Sequence, residues 1–115
     1  PDIIQFWTSG QTSGSSDIRI TNNVLLSGKG AGIQGIFIRD EQGIYPHSNI
    51  VIENNLLYTT GAQWEGISVS DARNVTIARN TVLSPTTDEK TYWIRYDNID
   101  GLKLRDNVTD QLLAG

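Results

Sequence analysis

Apolar and polar residues alternate in four short segments that can be laid over one another on an Asn. They are Asp17-Ile-Arg-Ile-Thr-Asn-Asn23, Asn49-Ile-Val-Ile-Glu-Asn-Asn55, Asn74-Val-Thr-Ile-Ala-Arg-Asn80 and Gly101-Leu-Lys-Leu-Arg-Asp-Asn107. Apolar residues stand five and three positions before each Asn, giving the columns Ile18, Ile50, Val75, Leu102 and Ile20, Ile52, Ile77, Leu104. A period of two means a strand with one buried face. Each Asn precedes a second, shorter run: Val24-Leu25-Leu26, Leu56-Leu57-Tyr58, Thr81-Val82-Leu83 and Val108-Thr109. A third set interleaves with these: Ile4-Gln5-Phe6, Ile36-Phe37-Ile38, Ile67-Ser68-Val69 and Ile94-Arg95-Tyr96.

The order is therefore strand, turn, strand, Asn turn, strand, loop, then the same again. The Ile4, Ile36, Ile67, Ile94 spacings are 32, 31 and 27 residues, and the Asn spacings are 32, 25 and 27. Three short strands per period, with no helical pattern between them, predict an all-β solenoid whose coils stack at about 4.8 Å. An antiparallel sandwich would not repeat the same columns in phase. Asn23, Asn55, Asn80 and Asn107 should form a hydrogen-bonded ladder at the turn between second and third strands, where Asn tolerates the left-handed conformation.

Composition agrees. Ile, Val and Thr make 31 of the 115 residues, and 9 Asn and 11 Gly supply turns. The net charge of −4 argues against a general grip on nucleic acid or an anionic membrane. No apolar run approaches the roughly 20 residues of a membrane span. Absence of Cys excludes disulfides and thiolate metal sites. Met is absent and the first residue is Pro, so a processed chain or a piece of a longer protein is expected.

The run Gly66-Ile-Ser-Val-Ser followed by Asn74-Val-Thr-Ile-Ala-Arg-Asn80-Thr-Val resembles the repeats of right-handed parallel β-helices of the pectate-lyase-like superfamily. The likeness covers nearly the whole chain. It implies one β-helix domain over residues 1–115, of about three and a half coils, and a secreted or cell-surface protein that meets polysaccharide. With neither end covered by an amphipathic helix, further coils of a parent chain or end-to-end self-association are expected. Members of the superfamily include pectate, alginate and chondroitin lyases, mannuronan epimerases, polygalacturonases and tailspikes, so fold alone leaves function open.

The resemblance also implies a ligand groove along the outward face of the first strand of each coil. That face carries the columns Gln5, Phe37, Ser68, Arg95 and Trp7, Arg39, Ser70, Asp97. In lyases of this superfamily an Arg or Lys removes the proton α to a uronate carboxyl, which makes Arg95 and Arg39 the candidates here. Asp40 and Asp71 each stand four positions past the aligned Ile. Stacked carboxylates repel, and either a bridging Ca²⁺ or a neighbouring Arg39 or Arg73 would compensate. Asp71 is also a candidate catalytic carboxylate. His47, the single histidine, could match the His of the epimerases, although their Asp-Pro-His-Glu motif is absent; the alternative is a turn histidine satisfied by backbone. Trp7, Phe37, Tyr45, Trp64, Tyr92 and Trp93 are candidate sugar-stacking rings.

Two readings follow. One is an enzyme acting on uronate-containing glycans by β-elimination or epimerisation, with hydrolysis less favoured. The other is a non-catalytic module that binds glycan or builds a tailspike-like or surface assembly. Convergence of Arg39, Asp40, Asp71 and Arg95 in one cleft would favour the enzyme. Separate pairing of each would favour the module.

Overall fold

The computed structural model describes residues 2–8, 12–26, 34–59, 64–84 and 92–115. Three kinds of strand recur along the chain. The first kind comprises β1 (Asp2–Trp7), β4 (Gln34–Arg39), the opening of β7 (Trp64–Ala78), the opening of β9 (Tyr92–Arg105) and β11 (Gln111–Ala114). The second comprises β2 (Ser16–Thr21), β5 (His47–Glu53) and the remainders of β7 and β9. The third comprises β3 (Val24–Leu26), β6 (Leu56–Tyr58), β8 (Thr81–Leu83) and β10 (Val108–Thr109). Every pairing is parallel, and each joins a strand to its counterpart one repeat away. Among the described residues there is no helix, and so none long and apolar enough to cross a membrane.

The registers reproduce the aligned columns. Ile4, Ile36, Ile67 and Ile94 pair in series, as do Ile18, Ile50, Val75 and Leu102, and Ile20, Ile52, Ile77 and Leu104. These side chains point inward because alternation along a strand sends every second residue to one face. Burial is complete in the middle repeats and weaker outward. Ile50, Ile52, Ile67, Val69, Val75 and Ile77 are at most 1 % exposed, whereas Leu102 and Leu104 are only partly buried. A residue in this arrangement is sealed by its counterparts on both sides, so the outer repeats lack one of the two.

Left-handed backbone conformations fall in columns at the corners. One column is Asp17, Asn49, Asn74 and Gly101; another is Asn22, Asn54, Arg79 and Asp106; Asp71 and Asn98 make a third. Asn, Asp and Gly suit these positions because a bulkier side chain strains there. The residue with positive φ at the Asn turn is thus the one before the ladder Asn, not the ladder Asn itself. That frees the ladder side chains to point inward. Asn23 Nδ2 donates to Asn55 Oδ1 at 3.0 Å, Asn55 to Asn80 at 3.0 Å and Asn80 to Asn107 at 3.1 Å. Each accepting Oδ1 also takes the backbone N–H of the donor residue. The second Nδ2 hydrogen of Asn55, Asn80 and Asn107 goes to the carbonyl of Ile20, Ile52 and Ile77. An exposed ladder runs the other way: Asn74 Nδ2 donates to Asn49 Oδ1 at 2.8 Å, and Asn49 Nδ2 to Asp17 Oδ1 at 3.2 Å.

Two features lie beyond the aligned pattern. β11 is a fifth strand of the first kind, with Leu112 paired to Ile94 and Ala114 to Tyr96. It follows Ile94 by only 18 residues because a single residue, Asp110, joins β10 to β11. Gly66 forms an irregularity in β7, where Glu65 pairs with Trp93 but Ile67 with Ile94; Gly accommodates the extra residue without a side chain to place. At Gly14 an added Cβ would collide with the Pro46 carbonyl oxygen, so only Gly lets the backbone before β2 approach the one before β5.

Candidate functional site

The outward face of the first strands carries the two expected columns, with Gln5, Phe37, Ser68 and Arg95 in one register and Trp7, Arg39, Ser70 and Asp97 in the other. Trp7 is half exposed and Phe37 partly so, while Ser68 and Ser70 are buried. Small hydroxyl residues therefore form the floor in the middle of the face, with larger side chains on either side.

The two cations of this face have different acidic partners. Arg95 donates from Nη1 to Ser70 Oγ at 3.4 Å and lies 3.9 Å from Asp97 through Nη2. Arg39 Nε is 3.7 Å from Glu41 and 3.8 Å from Asp71. Pairs this long on an exposed surface contribute about 0–1 kcal/mol each. They keep both guanidiniums neutralised in place, but leave them reachable by a competing carboxylate.

Where the first strands turn into the second, a cleft of about 280 Å³ opens between Asp40, Gly43, Pro46, Asp71, Ala72, Arg73, Asn98 and Asp100. Asp40 and Asp71 both line it. Asp40 is 2 % exposed. Its Oδ1 accepts from Thr8 Oγ1 at 2.6 Å and the Gln42 amide at 3.1 Å, and its Oδ2 from the Tyr45 amide at 2.6 Å. Asp71 accepts from Asn98 Nδ2 at 2.8 Å besides facing Arg39. Each of the two carboxylates thus has donors from the chain itself. Among the described residues, no group of three or more acidic or His side chains is disposed to hold a metal ion.

Burial works to raise the Asp40 pKa, but the Thr8 hydroxyl and the Tyr45, Gln42 and Gly43 amides outweigh it and hold the carboxyl below its ordinary value of 3.8. A depressed carboxyl stabilises the fold above its unfolded pKa and loses that contribution as pH falls through the folded one. Thermal melts of the wild type should therefore fall below about pH 3.8 more steeply than those of Asp40→Asn. Parallel curves between pH 5 and 2.5 would show that the carboxylate does not tie this turn.

His47 is not in the cleft. It is 1 % exposed at the start of β5, with Nδ1 accepting the Ser15 amide at 2.9 Å and the Phe6 ring edge-on at 6.3 Å. The same register as Ala72 puts it on the inward side, so it cannot touch a substrate on the outer face, and the catalytic role expected for it is withdrawn. The backbone-satisfied alternative describes its Nδ1. Tyr45 is partly buried and serves the cleft through its amide. Trp93 is partly buried, with Nε1 enclosed and unpartnered. The side chains of Trp64 and Tyr92 lie outside the described residues. Alternation did not single out Asn98 and Asp100, since both follow the aligned block of the fourth repeat. Their signal was the register itself, which pairs Arg73 with Asp100.

No family model matches this chain, and no match is found among curated proteins or solved structures.

Proposed function

We propose that this chain is a right-handed parallel β-helix module that binds an elongated polysaccharide along the outward face of its first strands without cleaving it, outside the cell. The observation that carries this reading is the separate pairing of Arg95 with Ser70 and Asp97, and of Arg39 with Glu41 and Asp71. A lyase needs its base free at the uronate carboxylate; here both Arg carry acidic partners, and His47 is enclosed. A face with an exposed Trp7, a neighbouring Phe37 and two surface Arg suits binding. The rings offer apolar contact to a pyranose, and the guanidiniums exchange their long ion pairs for uronate carboxylates. The four parallel third strands and the inner Asn ladder support the helical closure this reading assumes.

The cleft at Asp40, Asp71 and Asp100 supports the second reading, an enzyme acting on the same polymers with Asp71 in a catalytic role. One experiment separates the two. Pectate, alginate and chondroitin sulfate are each titrated into the protein by calorimetry, and absorbance at 235 nm is followed in parallel. The module binds at least one polyuronate, loses about 5- to 10-fold in affinity on Trp7→Ala, and gives a flat absorbance trace. A rising trace abolished by Arg95→Ala would replace the module with a lyase. No binding to any of the three would remove the uronate reading.

A further inference from the structure

The turn from β4 into β5 is pinned at both ends by groups that work only without an added proton. At its start the Asp40 carboxylate accepts Thr8 Oγ1 and the Gln42 and Tyr45 amides. At its end His47 Nδ1 accepts the Ser15 amide at 2.9 Å, and the Ser15 carbonyl in turn accepts the Ser48 amide at 3.0 Å. An imidazole that accepts at Nδ1 carries its single proton on Nε2. That atom is enclosed, with no hydrogen-bond partner among the described residues. The elements packed against His47 bring Phe6 from β1, Ser15 from the segment before β2 and Ala72 from β7, none of which carries charge. The charged residues on either side of Ala72, Asp71 and Arg73, line the outer cleft, and Asp17, beyond Ser15, is exposed and accepts from Asn49. On the turn itself Glu41 faces Arg39, and Tyr45 engages Asp40 through its amide.

We infer that His47 is an acid-released latch on this turn. A second proton on the imidazole takes the lone pair that holds Ser15 and sets one N–H against another. Among the described residues the enclosed cation meets no carboxylate to offset its burial. The Ser15 amide, the Ser48 amide one bond behind it and the close approach of Gly14 to the Pro46 carbonyl then lose their hold together. Gly43 and Pro46 line the cleft. Its wall therefore loosens from the His47 end while Asp40 still anchors the other. An unfolded chain takes that proton in the ordinary imidazole range, about pH 6.5. The latched state binds one proton fewer, so the latch is complete above that range and weakens as pH falls below it. Release comes in mildly acid surroundings, ahead of the loss at Asp40, whose carboxyl is held below 3.8. This inference stands independently of the ligand on the first-strand face.

Amide hydrogen exchange, followed by NMR from pH 8 to 5 and expressed as protection factors, tests it. Protection of the Ser15 and Ser48 amides should fall by up to about tenfold per pH unit below about pH 6.5, while Gln42 and Tyr45 keep theirs. His47→Asn retains an acceptor, Oδ1, that does not titrate, and in it Ser15 and Ser48 should hold one level of protection over the whole range. If that variant fails to fold, the imidazole nitrogens of the wild type give the reading: an Nε2–H tautomer at pH 8, and a second proton arriving where Ser15 loses protection. Constant protection of Ser15 in the wild type overturns the inference, as does an equal fall in His47→Asn or an Nδ1–H tautomer at pH 8. A fall shared by Gln42 and Tyr45 also overturns it, because acid would then loosen the whole turn and not its His47 end.

Discussion

Asn80→Ala is expected to destabilise the protein by about 3–5 kcal/mol, more than any exposed substitution. Asn80 is 1 % exposed and sits third in the inner ladder. Its Oδ1 accepts the Asn55 amide and side chain, and its Nδ2 donates to the Ile52 carbonyl and to Asn107 Oδ1. Truncation leaves three buried groups and the partly buried Asn107 Oδ1 each short of a partner, at about 1–3 kcal/mol for a buried group that finds no substitute. Partial relaxation brings the sum into the range of severe point mutants. At about 4 °C per kcal/mol for a chain of this size, the melting temperature falls by roughly 12–20 °C. Asn80→Asp should be comparably harmful, because a carboxylate cannot donate to Asn107 and carries a charge into a buried column. Asn23→Ala should cost less, about 1–2 kcal/mol, since it removes only the Nδ2 bond to Asn55, keeps the backbone N–H bond to the same oxygen, and lies at a partly buried position. Urea unfolding of the three variants gives the comparison. Equal losses at Asn23 and Asn80 would mean that the ladder adds nothing beyond a local turn preference.

The second large effect belongs to Ile52. It is fully buried between Ile20 and Ile77 in a column that every repeat supplies. Ile52→Ala removes apolar contact from both neighbouring repeats and leaves a void that hydrogen-bonded strands cannot close, so about 3–5 kcal/mol is expected. Leu112→Ala is the control. Leu112 continues the Ile94 column but is 48 % exposed, and about 1 kcal/mol is expected there. Both are read from the shift of the urea midpoint at unchanged slope. A loss below 1.5 kcal/mol at Ile52 would show that the repeats slide together to fill the space.

The parts of the fold set by alternation and by Asn were legible before any coordinates. The inward columns, the order of the three kinds of strand and the ladder all follow from a period of two repeated in phase. β11 was not legible, because Leu112-Leu113-Ala114 lacks an aligned Ile and follows its predecessor by an unusually short interval. Nor was the placement of positive φ one residue before the ladder Asn. Arg79 occupies that column, where composition favours Asn or Asp, and its side chain reaches Glu53 at 2.7 Å and Asn54 Oδ1 at 3.3 Å. Of the candidate site, outward direction was readable for Trp7, Phe37, Arg39 and Arg95, because direction is a parity property. Burial of His47 was not, since it depends on the corner between first and second strands, where parity restarts. The role of Asp40 as the tie of its own turn was equally hidden. An Asp serving a turn and an Asp serving a ligand read alike until the amides of Gln42 and Tyr45 are placed.

The two Asn ladders have an electrical consequence. From one Asn to the next, the inner ladder donates toward the later repeats, and the exposed ladder toward the earlier ones. Each row aligns its amide dipoles, as peptide units do in a helix, but the rows are antiparallel and their far fields oppose. The two rows therefore oppose each other in part, with three steps in the inner row against two in the exposed one. Where the exposed row ends on its donor side, the acceptor is Asp17, an anion placed where partial positive charge emerges. That is the arrangement a helix uses at its N-terminus, transposed here to a column of side chains.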